Sequence, residues 1–316
     1  MPDVRGWPGV RGGVSPEEVF KPTGYHAGPD TPRIVIIENK VVNVQGAEGL
    51  ELNAEEEDDT VVAELVVKEG YEFDEPIHMC VGVPWPEGVQ RIVTRLIVEP
   101  EAKIQLMSHC SFPRARDVVH EMEAEFEIGE GADVKVTDVH YHGEGGVRLK
   151  AKYDVSVKPE ASFVTEFRLT EGRVGELEWE MGARVEERAT MEGVARLRAV
   201  GEDRVRAVES VRLTGEDART LLDFKAAAID GAFVELVGEI SGEADGARGH
   251  VECSEIIKGG GKVVSVPKLR VVHPGARLTH EAALGTVEKK EVETLMSRGL
   301  SEEEAVELLV NAMLRG

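Results

Sequence analysis

Apolar and charged side chains alternate along most of the chain between residues 61 and 272, and this pattern limits the folds open to it. The clearest example is Glu121–Ile128, where Met, Ala, Phe and Ile take every second position and glutamate takes the others. Successive side chains of a β-strand point to opposite faces, so this segment predicts a strand with one buried and one solvated face. Similar alternation in Val134–Val136 and Tyr153–Val157 indicates a protein built mostly of β-strands.

A short turn motif recurs within the alternating region. An apolar residue is followed by Pro or an acidic residue and then by alanine, as in Val98–Ile104, Ile128–Val134, Val157–Phe163 and Val272–Leu278. The first three alanines are 30 and 29 residues apart (132 − 102 and 161 − 132). A strand, a tight turn and a small inward residue at a fixed period are typical of one coil of a solenoid. The alternative is a β-sandwich with recurrent turns, but the repeat favours the solenoid.

The ends of the chain differ from this β region. Residues 1–32 are rich in Gly and Pro and predict an irregular N-terminal arm, and residues 33–284 form the predicted β-helix core. Within the core, the acidic stretch Glu51–Asp59 predicts a solvated loop.

Residues 285–316 change to a helical period and predict a helical hairpin. A first helix is expected over 288–297, ended by Gly299, and a second helix begins with a capping box of Ser301 and Glu304. The apolar stripe of the second helix is expected to comprise Ala305, Leu308, Leu309, Ala312 and Met313. Two short helices cannot bury both faces alone, so we expect them to pack on the end of the β core, to dock on a partner, or both.

Charge and cysteine content exclude several classes of protein. The net charge of −23 repels phosphate, which argues against a nucleic-acid partner and against an anionic membrane surface. Three cysteines in 316 residues do not make a disulfide framework and fit a reducing compartment. The first 20 residues have no apolar signal region, and no apolar run approaches the ~18 residues of a membrane span, so the sequence predicts a soluble cytoplasmic protein.

Several catalytic motifs are absent from the sequence. It contains no GxxxxGK[ST] phosphate-binding loop, no CxxC pair, no HExxH and no dinucleotide fingerprint. We therefore expect a protein that is not an enzyme and does not hydrolyse ATP by itself, and the sequence does not indicate a flavin.

The candidate metal ligands are Cys253, His280 and Glu281. Thiolate, imidazole and carboxylate are the side chains that bind iron or zinc in proteins. Cys253 and His280 are 27 residues apart (280 − 253), close to one solenoid period, so stacked coils can bring them near one ion. Adjacent strand residues face opposite ways, so His280 and Glu281 need not serve the same site. A free cysteine taken alone is more often a small buried hydrophobe.

A second group of Cys and His residues lies earlier in the chain. It comprises His78, Cys80, His109, Cys110, His120, His140 and His142. The first two pairs are about one coil apart, but no third and fourth ligand follow at fixed spacing. The sequence therefore favours buried thiols at Cys80 and Cys110.

Several segments resemble the SufB/SufD family of iron–sulfur cluster assembly proteins. They are GARGHVECSEII, SVPKLRVVHPGARLTHEAALG and LMSRGLSEEEAVELLVNAML, with IHMCVGV, SHCSF and HYHG earlier in the chain. The resemblance covers roughly residues 33–316. It implies a right-handed parallel β-helix with a small C-terminal helical domain.

The resemblance also implies partners and ligands. Members of the family work with a separate ABC-type ATPase, SufC, which grips the C-terminal helices, here at Arg298, Gly299, Leu300 and Glu303. B-type and D-type members pair through their β-helices, and a transient cluster is thought to form at that junction. Cys253, Glu281 and His280 match residues of that site.

The chain departs from the B-type pattern in one respect. B-type members carry a further mid-solenoid cysteine that accepts sulfur, whereas residues 193–200 here contain none. The sequence therefore leaves open a B-like or D-like role, and a homodimer or a heterodimer. Two other functions are also compatible with the residues, a polysaccharide-acting β-helix enzyme and a metal-free structural partner of an ATPase.

Overall fold

The computed structural model describes residues 15–287 and 289–315, which fold mainly into two long β-sheets. The first sheet has ten strands: β1 (Arg33–Ile37), β2 (Lys40–Gln45), β5 (Ile77–Gly82), β7 (Lys103–Ser111), β9 (Asp133–Tyr141), β11 (Ser162–Leu169), β13 (Thr190–Val200), β15 (Arg219–Ile229), β17 (Arg248–Lys258) and β19 (Arg277–Thr286). The second has nine: β3 (Leu50–Glu57), β4 (Thr60–Val67), β6 (Glu87–Val98), β8 (Asp117–Ile128), β10 (Val147–Val157), β12 (Gly175–Val185), β14 (Arg204–Leu213), β16 (Phe233–Gly242) and β18 (Lys262–Val271).

The two sheets are the opposite walls of a parallel β-solenoid of about eight turns. From β4 onward the chain alternates between the sheets, and each strand pairs in parallel with the strand two later in sequence. Phe224, Cys253 and Ala282 are successive register partners, 29 residues apart (253 − 224 and 282 − 253). The predicted solenoid and its period are confirmed.

The alternating pattern decides which side chains enter the core. On β8, Met122, Ala124, Phe126 and Ile128 are all less than 7% exposed, whereas the intervening glutamates lie in solvent. One apolar core runs between the two sheets through the whole solenoid. Burial of that continuous core is what stacking the coils achieves.

The repeated alanine motif marks the turn from the nine-stranded sheet to the ten-stranded one. Ala102, Ala132 and Ala161 are each at most 1% exposed. The residue before each alanine has a left-handed φ, 58° at Glu101 and 62° at Glu160. Backbone hydrogen bonds join these turns from coil to coil, as from the Glu101 N–H to the Glu130 carbonyl. The turn therefore repeats because each copy bonds to the next.

The N-terminal end of the solenoid is closed by antiparallel strands, β1 with β2 and β3 with β4. The predicted loop over Glu51–Asp59 was wrong, because most of it lies in strand β3. Leu50, Leu52 and Ala54 face the core while the glutamates project into solvent, so the acidic run is compatible with an edge strand.

Part of the predicted irregular arm is ordered. Residues 1–14 lie outside the described chain, but helix α1 (Pro16–Phe20) and a 3-10 turn (Lys21–Thr23) follow them. Val19 and Phe20 pack with Val35, Ile37 and Cys80 on the outer face of the ten-stranded sheet.

The predicted helical hairpin comprises α2 (Lys289–Met296) and α3 (Glu302–Arg315). The Ser301–Glu304 capping box is present, with Glu304 N–H donating to Ser301 Oγ and Ser301 N–H to the Glu304 carboxylate. Position 288, the predicted first residue, lies outside the described residues.

The hairpin packs on the outer face of the ten-stranded sheet rather than on the end of the solenoid. The buried residues of the hairpin pack in one cluster with Ala227 and Ile229 of β15. These hairpin residues are Val292, Ala305, Val306, Val310 and Leu314. The predicted stripe was wrong at Leu308, which is 49% exposed, and at Ala312, which is also exposed, because the sheet contacts the helix face about one residue further round. None of the helices in the described chain is long and apolar enough to span a bilayer.

Candidate functional site

Cys253 lies inside the solenoid, on β17, one coil before the last. It is 2% exposed, and its register partners are Phe224 on β15 and Ala282 on β19. Burial raises the pKa of this thiol to about 11, and the charges of nearby carboxylates add to the effect. The thiol is therefore protonated at neutral pH unless a metal ion displaces its proton.

His280 and Glu281 differ in which face of the last strand they occupy. His280 pairs with Val251, which is buried on the same inward face as Cys253, whereas Glu281 pairs with the outward Glu252. With strands ~4.8 Å apart and a rise of ~3.3 Å per residue, the Cα atoms of Cys253 and His280 are about 8 Å apart. The structure thus brings His280 to the same face as Cys253 and leaves Glu281 on the opposite face.

The last coil is open to solvent. Strands β18 and β19 end their sheets, so each has an edge without a partner strand in the described chain. Leu284 is 57% exposed, and His280 and Ala282 are exposed although they occupy inward positions. Cys253 is therefore a buried thiol one strand away from the exposed C-terminal end of the solenoid.

Buried carboxyl groups lie near Cys253 and were not predicted from the sequence. Glu209 is fully buried and Glu255 is 2% exposed, and all four of their oxygens lack a hydrogen-bond partner among the described residues. Burial, with a contribution from Asp223, raises the pKa of Glu209 to about 8, and burial also raises the pKa of Glu255. Their signal in the sequence is an acidic residue at an inward position of the alternation, as in Cys253-Ser254-Glu255.

The predicted partner-binding residues lie at the connection between α2 and α3. Arg298, Gly299 and Glu303 are exposed, and Gly299 has φ 101°, the left-handed conformation expected after a helix. Leu300 is half-buried and packs with the helices on the outer face of the sheet.

The earlier Cys and His residues separate onto two faces of the ten-stranded sheet. Cys80, His78 and His109 face outward, beneath α1 and the turn that follows it. The rings of His78 and His109 stack with centroids 5.2 Å apart, and Thr23 Oγ1 lies 3.0 Å from His109 Nδ1. Burial lowers the pKa of His109 to about 4, so this outer pair is neutral near pH 7.

Cys110 faces inward and joins Asp138 and His140. Among the described residues, this is the one group of three Cys, His or acidic side chains whose candidate ligand atoms all lie within 4.8 Å of one another. Burial alone would raise the pKa of Asp138, but when His140 carries a proton its charge and its contact with the carboxylate, together with the hydrogen bond from Tyr153, outweigh burial and hold the pKa at about 2. The sequence had drawn attention to Cys110 and His140 but not to Asp138, whose inward position in the alternation was the available signal.

The described chain is thus a parallel β-solenoid with a helical hairpin on one outer face and a buried thiol beneath an open end. Residues 87–313 match the family model described as "SUF system FeS cluster assembly, SufBD core domain". The chain belongs to the SufBD family of iron–sulfur cluster assembly proteins.

Curated relatives agree with this assignment. The chain is 38% identical over 300 residues to an iron–sulfur cluster assembly SufBD family protein of Methanocaldococcus jannaschii, covering 95% of this chain and 93% of the relative. It is 34% identical over 300 residues to one of Pyrococcus horikoshii, covering 94% and 92%. Its similarity to the iron–sulfur cluster assembly protein SufB of Bacillus subtilis is confined to 69 residues at 36% identity, 22% of this chain and 15% of that protein.

Proposed function

We propose that this chain is a scaffold subunit on which an iron–sulfur cluster is assembled, with Cys253 as the thiolate ligand and His280 as a second donor. The observation that carries the proposal is the register between β17 and β19, the strands of the last two coils in the ten-stranded sheet. Cys253 is buried on β17, and His280 occupies the same face of β19 at the uncovered end. Glu281 faces away from Cys253 within the chain, so its contribution would be made from the outer surface.

The donor set suits a cluster that must leave. Stable structural clusters are held by four thiolates, whereas this end of the solenoid offers one thiol and one imidazole. Iron binding would release the Cys253 proton, which burial otherwise retains. Membership of an iron–sulfur assembly family supports this reading of an incomplete ligand set.

A second SufBD-type chain would complete the site. The unpaired edges of β18 and β19 can extend each sheet into a partner, and the exposed Val271, Val272 and Leu284 would be covered by that contact. Around a two-fold axis, each subunit would contribute one Cys253 and one His280 to the junction. The homodimer is the simplest form of this arrangement.

A separate SufC-type ATPase would dock on the helical hairpin. The chain lacks a phosphate-binding loop, so the energy of ATP hydrolysis has to come from another protein. Leu308 and Met296 are 49% and 43% exposed on the hairpin while its other face is fixed to the sheet. A hairpin held by the sheet on one side and gripped on the other would transmit ATPase movement to the solenoid.

The test is anaerobic reconstitution of the full chain with iron and sulfide. Cys253→Ser is expected to lose the visible cluster chromophore and the bound iron and sulfide, and His280→Gln to reduce cluster yield. Cys80→Ser is the matched control, because Cys80 is also a fully buried thiol but lies on the outer face of the sheet. Full cluster yield in Cys253→Ser, or no chromophore in the unmodified chain with and without the ATPase, would refute the proposal; the second result would favour a metal-free structural partner.

A further inference from the structure

Four polar residues form a block on the inner face of the ten-stranded sheet, well away from Cys253. On the paired strands β7 and β9, Ser108 is opposite Asp138 and Cys110 is opposite His140. All four are at most 4% exposed. The neighbouring coils continue these positions with apolar residues. Met79 and Val81 on β5 pair with Ser108 and Cys110, and Phe167 on β11 pairs with Asp138. Burying such polar groups among apolar neighbours is costly unless they are paired or bind a ligand.

Hydrogen bonding fixes which nitrogen of His140 is free. His142 Nδ1 lies 2.9 Å from the Val174 carbonyl oxygen, which can only accept, so His142 carries its proton on Nδ1. His142 Nε2 is then an acceptor, and His140 Nδ1, 3.3 Å away, donates to it. Neutral His140 therefore presents the lone pair of Nε2 toward Asp138.

This lone pair faces a second acceptor. His140 Nε2 lies 3.1 Å from Asp138 Oδ2, yet it has no hydrogen bond of acceptable geometry within the described chain. Asp138 Oδ2 already accepts from Tyr153 Oη at 2.6 Å. Two acceptors this close require a cation between them, either a proton on His140 or a metal ion.

The third atom of the group favours the metal ion. Cys110 Sγ lies 3.6 Å from Asp138 Oδ1. Ligands at ~2.0 to 2.3 Å from a tetrahedral ion are separated by about 3.3 to 3.7 Å. His140 Nε2 lies 3.1 Å from one oxygen of Asp138 and Cys110 Sγ lies 3.6 Å from the other, and one candidate ligand atom from each of the three residues lies within 4.8 Å of the other two. A divalent ion with one thiolate, one carboxylate and a neutral imidazole has no net charge, which suits a site without solvent.

We propose that Cys110 Sγ, the Asp138 carboxylate and His140 Nε2 bind a divalent transition-metal ion of the iron-to-zinc series inside the solenoid. On binding, a metal–sulfur bond forms and the Cys110 proton is released to solvent. Tyr153 and His142 orient Asp138 and His140 through the hydrogen bonds described above, as groups around protein metal sites commonly do. His120, whose two buried ring nitrogens lack partners among the described residues, is a further donor with its ring centroid 6.4 Å from that of His140.

This site is separate from the proposed cluster site. Five strand-to-strand steps separate β7 from β17 in the ten-stranded sheet, about 24 Å at ~4.8 Å per step. The two sites can therefore be tested independently, and the metal site does not depend on the proposed function.

The test is anaerobic titration of tag-free full-length protein with Co²⁺ in a Cys253→Ser background, which removes the other inward thiol. We expect one equivalent to bind, with a thiolate-to-cobalt charge-transfer band in the near ultraviolet that Zn²⁺ abolishes. Adding Cys110→Ser should remove the band, and adding His142→Phe should weaken binding by about 10- to 100-fold. Adding Cys80→Ser, the matched control, should change neither.

Two results would overturn the metal site. One is the absence of a charge-transfer band at stoichiometric Co²⁺ in the Cys253→Ser protein, which would show that a proton fills the gap between His140 and Asp138. The other is a band that persists in the Cys110→Ser variant. If that variant does not fold, His140→Gln decides: binding as tight as in the Cys253→Ser protein would equally exclude the site.

Discussion

Glu209 fills the space that a side chain at position 193 would occupy. A Cβ atom on Gly193 would lie 2.0 Å from Glu209 Oε2 and 2.9 Å from Leu222 Cδ2. The two residues come from opposite sheets, β13 and β14, so the glycine makes room inside the solenoid for a buried carboxyl group. This carboxyl is one of those whose charge raises the pKa of Cys253.

Gly193→Ala is expected to destabilise the fold. The new methyl group would displace a buried carboxyl and a packed leucine, and overpacking of this kind typically costs about 1–3 kcal/mol of unfolding free energy. Urea unfolding measures the change. Gly182→Ala is the control, since nothing lies within 4 Å of a Cβ there, and its effect should stay within about 0.5 kcal/mol. Equal effects of the two substitutions would contradict the predicted clash.

Glu209 should make stability fall as pH rises. Its folded pKa of about 8 lies above the ordinary value of 4.5, so between these values the folded state keeps a proton that the unfolded state releases. The stabilisation is fully present below about pH 4.5 and is lost as pH rises through about 8, at up to ~1.4 kcal/mol per pH unit. Glu209→Gln should therefore gain stability relative to the unmodified chain as pH increases.

The measurement is urea unfolding of both proteins at several pH values between about 5 and 8. Glu176→Gln, which replaces an exposed carboxyl group on the neighbouring strand β12, is the control and should show the pH dependence of the unmodified chain. A Glu209→Gln curve parallel to the unmodified one would show that this carboxyl is ionised in the folded protein.

Leu308→Glu is expected to release a co-expressed SufC-type ATPase without unfolding the chain. Leu308 is 49% exposed on the hairpin face turned away from the sheet, so a charge there would disturb the proposed ATPase contact but not the core. Co-purification measures binding, and unfolding free energy should change by less than ~0.5 kcal/mol. Val89→Glu, at a 43% exposed position on β6, should leave binding intact. Retained co-purification with Leu308→Glu would place the docking surface elsewhere.

The fold could be predicted because its signals are local and repeat. Strand alternation in Glu121–Ile128 sets the two faces, and the alanine turns at 102, 132 and 161 set the coil length. The capping box at Ser301 is equally local. Each of these depends on neighbouring residues, so the sequence alone specifies it.

The sites were harder to predict because they depend on pairing between coils. The sequence indicated that His280 and Glu281 face opposite ways, but only the strand register shows that His280 shares the face of Cys253. Asp138 was missed because a single acidic residue at an inward position resembles a break in the pattern. The buried face of α3 was wrongly predicted at Leu308 and Ala312, since the orientation of the helix on the sheet is set by tertiary packing.

The two ends of the solenoid also differ in charge. The N-terminal edge strand β3 carries Glu51, Glu55, Glu56 and Glu57, whereas the opposite end exposes valines and leucine. The last coil also exposes the cations Lys262, Lys268, Arg270 and Arg277 on β18 and β19, so a head-to-tail contact between copies would pair opposite charges. Salt would weaken such a contact, whereas a contact through the exposed valines and leucine would resist salt.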